Sequence, residues 1–305
     1  MYLAAAISLL FAAPGLASLA PEMRIEAISL LARPLLAPPL PDSLRAQREG
    51  ELAEAREALA RNPGSADALI WVGRRLAYLG RYREAIEVFS RGIALHPDDA
   101  RMLRHRGHRF ITQRRFADAI RDFENAAELA QNRPDEIEPD GLPNARNIPI
   151  GTLRSNIAYH HGLAHYLQGD FSRSAEIFKA EAGEASNADR LVSASYWLYL
   201  SLSHLGRHDE ASAVLDAIPP DADIVENQTY AALLRLYRGE TTAEALLGNP
   251  GGEIDGVTLQ YGIGVHELIR GDRRAAAETF GRILASPQWS AFGYIAAEAE
   301  LERGR

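Results

Sequence analysis

Residues 66–99 read ADALIWVGRRLAYLGRYREAIEVFSRGIALHPDD, and residues 100–133 read ARMLRHRGHRFITQRRFADAIRDFENAAELAQNR. Overlaid at a spacing of 34 residues, Gly73 falls on Gly107, Ala85 on Ala119 and Phe89 on Phe123, with Tyr82 answered by Phe116. Gly80 stands where a helix ends in the left-handed region, and Pro97 stands where the second helix must stop. Asp98 or Asp99 can then cap the helix that follows. Each copy is therefore a helical hairpin, and hairpins repeated at a fixed period stack into a solenoid. Two antiparallel helices pack well only where their backbones approach closely, which assigns Gly73 and Gly107 to contacts opposite Ala85 and Ala119.

The order large, large, small, large, then small, aromatic, proline is carried by Leu69, Val72, Gly73, Leu76, Ala85, Phe89 and Pro97. It resembles the tetratricopeptide repeat. The resemblance implies an all-α, right-handed superhelical solenoid of antiparallel helix pairs whose first helices line a concave groove. It implies a binding surface and leaves the partner open.

Outward from this pair the pattern weakens. Gly50, Leu52, Ala55 and Leu59 repeat the spacing of Gly80, Tyr82, Ala85 and Phe89, so a truncated repeat is expected at about residues 43–65. The full copies at 66–99 and 100–133 are followed by Pro134, Asp135, Glu136, Glu138, Pro139, Asp140, Gly141, Pro143 and Asn144, an insertion to about residue 150 too rich in breakers to be helical. Long loops in compact solenoids are often functional, and this one either carries function or packs back on a groove wall. Further repeats are expected at about 155–190, 192–223, 225–250 and 257–287, the fifth with a short second helix. Residues 288–303 form an amphipathic helix with Trp289, Phe292 and Ile295 on the apolar side and Glu298, Glu300 and Glu302 outward, the solvating cap a solenoid needs. Residues 21–42 contain Pro34, Pro38, Pro39 and Pro41 and are expected to be extended, lying over the first helices or moving freely.

Residues 1–20 are apolar and uncharged, with Gly15 and Ala17 near the end, and read as a signal peptide, or an anchor if uncleaved. The expected location is thus exported, periplasmic or secreted. The insertion and closing segment together resemble exported bacterial tetratricopeptide-repeat proteins, a resemblance that implies no activity. With no cysteine, thiol nucleophiles, thiolate metal sites, disulfides and a lipidated N-terminal cysteine are excluded. The net charge of −8 is uneven: 13 arginines against nine acids make residues 66–133 a basic island of +4 on a remainder of −12. An acidic chain overall is not the composition of a nucleic-acid binder.

Carried over residue by residue, the groove positions implied by the resemblance are Arg74, Tyr78, Arg101, Arg104, His108, Asn156, Tyr159, Tyr166, Tyr196 and His204, followed by Glu226, Tyr237 and Tyr261. The wall changes from arginine-rich to tyrosine-rich, both residue types of binding hot spots. A protein or extended peptide is the expected partner, acidic or bearing a free C-terminal carboxylate held by Arg74, Arg101 and Arg104, with Tyr159, Tyr166 and Tyr196 taking apolar or aromatic groups. A second reading stacks envelope polysaccharide on the tyrosines. A third builds a metal-dependent enzyme on His161 and His165, spaced i and i+4, and on His204 and His208. No glutamate follows His161 as a zincin-like motif requires, and no third ligand is placed. Gly262 and Gly264 lack the strand and third glycine of a dinucleotide loop, and no nucleophile meets a base. The expected chain is a non-enzymatic scaffold without cofactor or metal.

Overall fold

The computed structural model describes residues 24–248 and 253–304. The expected signal peptide lies outside the described residues.

Residues 25–36 form a short antiparallel hairpin, β1 (Ile25–Ile28) and β2 (Pro34–Leu36), with Ile28 opposite Pro34. Pro34 is tolerated because it opens its strand. Ala27 and Leu35 are buried, and the Glu26 carboxylate accepts from the Arg83 backbone N–H at 2.9 Å. The lead-in is thus pinned to the first full repeat by the adjacent Glu26 and Ala27 side chains, which an irregularity in β1 turns inward together, and by Leu35.

Helix α1 (Asp42–Arg61) is one uninterrupted helix that contains Gly50 and supplies only the second half of the truncated repeat. The hairpins follow: α2 (Ala66–Tyr78) with α3 (Tyr82–Leu95), α4 (Ala100–Thr112) with α5 (Phe116–Ala130), and α6 (Leu153–Gln168) with α7 (Phe171–Gly183). Then come α8 (Ala188–His204) with α9 (His208–Asp216), α10 (Gln228–Tyr237) with α11 (Ala243–Leu247), α12 (Glu253–Ile269) with α13 (Arg273–Ile283), and α14 (Phe292–Arg303). Asp99 caps α4 by accepting from the Arg101 N–H, and Thr152 with Ser155 forms a reciprocal capping box that restarts the helical period at α6.

The small residues act differently from the expectation. A Cβ on Gly107 would lie 2.7 Å from the Phe123 ring, and one on Gly162 would lie 2.7 Å from the Phe178 ring. The glycine makes room for the aromatic ring four residues beyond the alanine, rather than for the alanine itself. Ser174 stands in for that alanine in the third full repeat, fully buried, with its Oγ 2.9 Å from Ser201 Oγ.

The closing helix α14 packs on α12 and α13 and also reaches α6 across the concave face. The expected outward position of Glu298 and Glu300 is therefore corrected, while Glu302 is exposed. Glu298 is 1% exposed and paired with Arg114 at 2.7 Å; Glu300 lies 3.1 Å from His204. Just before α14, Trp289 packs edge-on against Tyr82, and its indole N–H donates to the Leu36 carbonyl at 2.6 Å. The last segment thereby touches the first repeat and the hairpin in front of it.

Candidate functional site

The inner surface is formed by the first helices α2, α4, α6, α8, α10 and α12, and two pieces of the same chain lie on it. One is α14, whose Phe292 packs on His108 at a ring separation of 5.2 Å and on His160 at 5.7 Å. The other is the insertion, which forms no helix. It is closed at its base by the bridge between Ile137 and Thr152 and then runs over α2, α4 and α6.

The insertion delivers Glu138 to the basic wall. Its carboxylate accepts from Asn156 Nδ2 at 2.7 Å, lies 3.2 Å from Arg104 Nε and lies 3.0 Å from His105 Nε2. Burial would raise the acid's pKa, but Arg104 and His105 outweigh it and hold the carboxyl well below the usual range. Burial, reinforced by Arg104, pushes His105 down to about 4, so the imidazole is neutral at pH 7. Arg74 Nη1 donates to the Pro139 carbonyl at 2.8 Å and its guanidinium covers the Trp71 ring, while Arg75 reaches the Gly141 carbonyl at 3.4 Å.

Beyond Glu138 a cleft of about 400 Å³ stays open between the insertion, α6, α8, α10, α12 and the start of α14. Of the ten groove residues first named above, Arg74, Arg104, Asn156 and Tyr159 line it. Ser193, Asn227, Thr229 and Tyr230 supply further hydrogen-bonding groups, and Asp140, Glu226 and Asp255 add acidic ones. Arg190 on the same wall is held by Glu181 at 2.8 Å.

The other named residues are placed elsewhere. Arg101 is clamped by Asp99 and by Asp67 at 2.7 Å and does not reach the cleft. Tyr78 lies under Gly141, and His108 packs at a tilt against His160 at 4.4 Å. The tyrosine wall is core: Tyr166 and Tyr261 are fully buried with hydroxyls 2.7 Å apart, and Tyr196 is buried between Trp197, Tyr230 and Tyr237. Tyr237 donates to the Gly262 carbonyl, and His204 stacks on Phe171 at 4.1 Å beside Glu300. Tyr166, Tyr196 and Tyr261 therefore offer no free ring face to a sugar or a peptide, because α14 and the neighbouring helices cover what an open solenoid would expose. His161 and His165 face each other at 3.2 Å, with burial and His165 pushing His161 down to about 4. Among the described residues no three His, Cys, Asp or Glu side chains are grouped to hold a metal ion. Glu138, Ser193, Thr229, Tyr230 and Asp255 are cleft residues that the repeat register does not single out. Only the acidic run of the insertion hinted at Glu138.

The tetratricopeptide repeat pattern matches residues 42–100 and 73–137. Among solved structures, a tetratricopeptide repeat protein from Parabacteroides merdae is 14% identical over 85% of this chain and 98% of that one, with a TM-score of 0.51. YrrB, a TPR protein with an unusual peptide-binding site, is 15% identical over 81% and 97% of the two chains at a TM-score of 0.41. PilW, a widely conserved type IV pilus biogenesis factor, is 17% identical over 82% and 91% at 0.46. At such identities the likeness concerns the fold alone. No curated protein matches the chain in sequence. The fold suggests a scaffold for protein–protein interaction.

Proposed function

Because the chain is a tetratricopeptide-repeat protein, we propose that it is a non-enzymatic scaffold that binds a protein segment in its concave cleft after export to the cell envelope. The observation that carries this reading is the cleft of about 400 Å³ left open on the concave face between the insertion and α14. Its size falls in the range of ~300–1,000 Å³ typical of pockets that bury a ligand. Its walls offer hydroxyls and amides that suit an extended backbone, and its N-terminal end carries a carboxylate site built from Arg104, His105 and Asn156. That the chain places its own Glu138 there supports an acidic partner group rather than a basic one. Export rests on the apolar residues 1–20; no helix among the described residues is long and apolar enough to cross a membrane.

The test is photocrosslinking in an envelope extract. A photoreactive residue replaces Glu226 at the exposed rim of the cleft, with the same residue at Arg274 on the outer surface as control. A defined adduct is expected from position 226, absent from position 274, and lost when Thr229→Trp fills the cleft. Equal adducts from both positions, or an adduct indifferent to Thr229→Trp, would remove cleft binding.

A further inference from the structure

The residues around Glu138 form a recognition site that already has an occupant, and three features mark that occupant as replaceable. The first is its shape. Residues 137–141 lie across the first helices as an extended segment: Glu138 enters the Arg104, His105 and Asn156 cluster, and Arg74 and Arg75 hold the carbonyls of Pro139 and Gly141. An extended peptide would be held in this way, through backbone carbonyls and one charged side chain.

The second feature is how the tip is attached. Beyond Glu138 residues 139–148 are held to the rest of the chain mainly by polar contacts: the two arginine contacts, Asn144 to Glu226 at 2.7 Å and Arg146 to Asp223 at 2.7 Å, with Gly141 resting on Tyr78. Three large apolar residues of the insertion point away from the core, with Ile137 64%, Leu142 59% and Ile148 43% exposed. Little apolar burial therefore opposes release, since exposed polar pairs contribute little. The base stays anchored, because the Leu153 N–H donates to the Glu136 carbonyl and the Arg154 N–H to the Asp135 carboxylate.

The third feature is the quality of the fit. Arg104 Nε and Glu138 Oε1 are both buried, yet neither finds an aligned hydrogen bond, although they sit within ion-pair reach of partners. A buried polar atom left in this way favours any ligand that completes its geometry.

We infer that the Glu138 side chain and residues 139–141 are an internal pseudo-ligand, and that the partner carries an acidic, extended segment whose carboxylate displaces that of Glu138 from Arg104, His105 and Asn156. This rests on the cleft reading above and adds its regulation: the scaffold is closed until a competing carboxylate arrives. The carboxylate is on a protein segment and not on a small acid, because Arg74 and Arg75 read the main-chain carbonyls one and three residues after it.

The probe is a fluorescent peptide copying residues 134–141, paired with the same peptide carrying Gln in place of the residue corresponding to Glu138. Anisotropy is measured on the wild-type chain, on Glu138→Gln and on Gly141→Val. The second variant keeps every charge and crowds the tip, because a Cβ at Gly141 would lie 2.6 Å from Arg74 Nη2 and 2.7 Å from the Tyr78 ring, so either the tip or the Arg74 and Tyr78 side chains that hold it must shift. Both variants are expected to bind the Glu peptide at least about tenfold tighter than wild type, since emptying an occupied site raises apparent affinity by the fraction freed. The Gln peptide is expected to bind all three weakly. If Glu138→Gln does not fold, as its melting curve would show, Gly141→Val decides. Equal affinity for the two peptides, or folded variants no tighter than wild type, overturns the pseudo-ligand. A protein crosslinked at position 226 in unchanged yield by both variants would leave cleft binding standing while removing this regulation.

Discussion

Replacing Arg114 separates two opposing effects that the structure places on one residue. Five hairpin turns use glycine in the left-handed region, at Gly80, Gly169, Gly206, Gly239 and Gly271, whereas Arg114 occupies that conformation with φ 63°. A residue with a Cβ costs about 1 kcal/mol there relative to glycine. Against this, the buried guanidinium donates to Glu298 at 2.7 Å, to the Trp289 carbonyl at 2.9 Å and to the Thr112 carbonyl at 2.6 Å. The side chains of Arg114 and Glu298 are 3% and 1% exposed, so removing one leaves the other charged and dry. Breaking such a pair costs about 3–5 kcal/mol. Arg114→Gly recovers the backbone term and should destabilise by roughly 2–4 kcal/mol, while Arg114→Ala keeps the strain and should be about 1 kcal/mol worse.

The deficit should appear first in α14. Its docking is what the pair secures, and the Trp289 ring lies under the Arg114 guanidinium at 5.4 Å. Urea unfolding followed by tryptophan fluorescence gives the total, and hydrogen exchange shows whether the amides of residues 292–303 open before the rest. Adding Glu298→Leu to Arg114→Gly removes the orphaned charge and should recover much of the loss. Arg114→Gly within about 1 kcal/mol of wild type, or glycine and alanine variants of equal stability, would refute the reasoning.

Two further outcomes follow from the same interior. Burial holds His108 and His160 well below their ordinary value of 6.5, and His105 and His161 at about 4, so the native state keeps them neutral while the unfolded chain takes up protons near 6.5. Stability should therefore be complete above pH 6.5 and fall as the pH drops towards 4, by on the order of 3 kcal/mol for each of His105 and His161 once developed; a melting temperature constant from pH 7 to about 4.5 would contradict this. Gly107→Ala and Gly162→Ala should each cost about 1–3 kcal/mol by driving a methyl into the Phe123 or Phe178 ring, whereas Gly281→Ala, in the last turn of α13 with nothing within 4 Å, should stabilise by up to about 1 kcal/mol, all read by thermal melting.

The local features of the fold are legible in the sequence because they are set by neighbours. The hairpin period, the turn glycines, the Asp99 cap and the non-helical insertion each depend on residues within one repeat. The concave surface is less legible, since groove positions transfer from an open solenoid and this one is filled. Arg74, Arg104, Asn156 and Tyr159 do reach the cleft, but Tyr166 and His204 fall beside α14, a segment about 90 residues or more further along, and Tyr196 falls under Tyr230 and Tyr237 of α10. Hydrophobic pattern cannot report that burial when the buried face of α14 carries glutamates: Glu298 and Glu300 read as solvated because their partners, Arg114 and His204, are remote in sequence.

One local irregularity does point to the closure. The position 34 residues after Gly80 is Arg114, so the second copy breaks its own turn rule at the one site where glycine is least replaceable. A left-handed arginine persists only if its side chain recovers the backbone cost, and a single long cation does that best by burial against an anion. The anion must come from outside the repeat, because Asp118, the nearest acid in the sequence, is already engaged by Arg115 and Arg121. A broken turn glycine in one repeat thus marks the place where a distant acidic helix is received, and here that helix is the one that turns an open groove into a cleft.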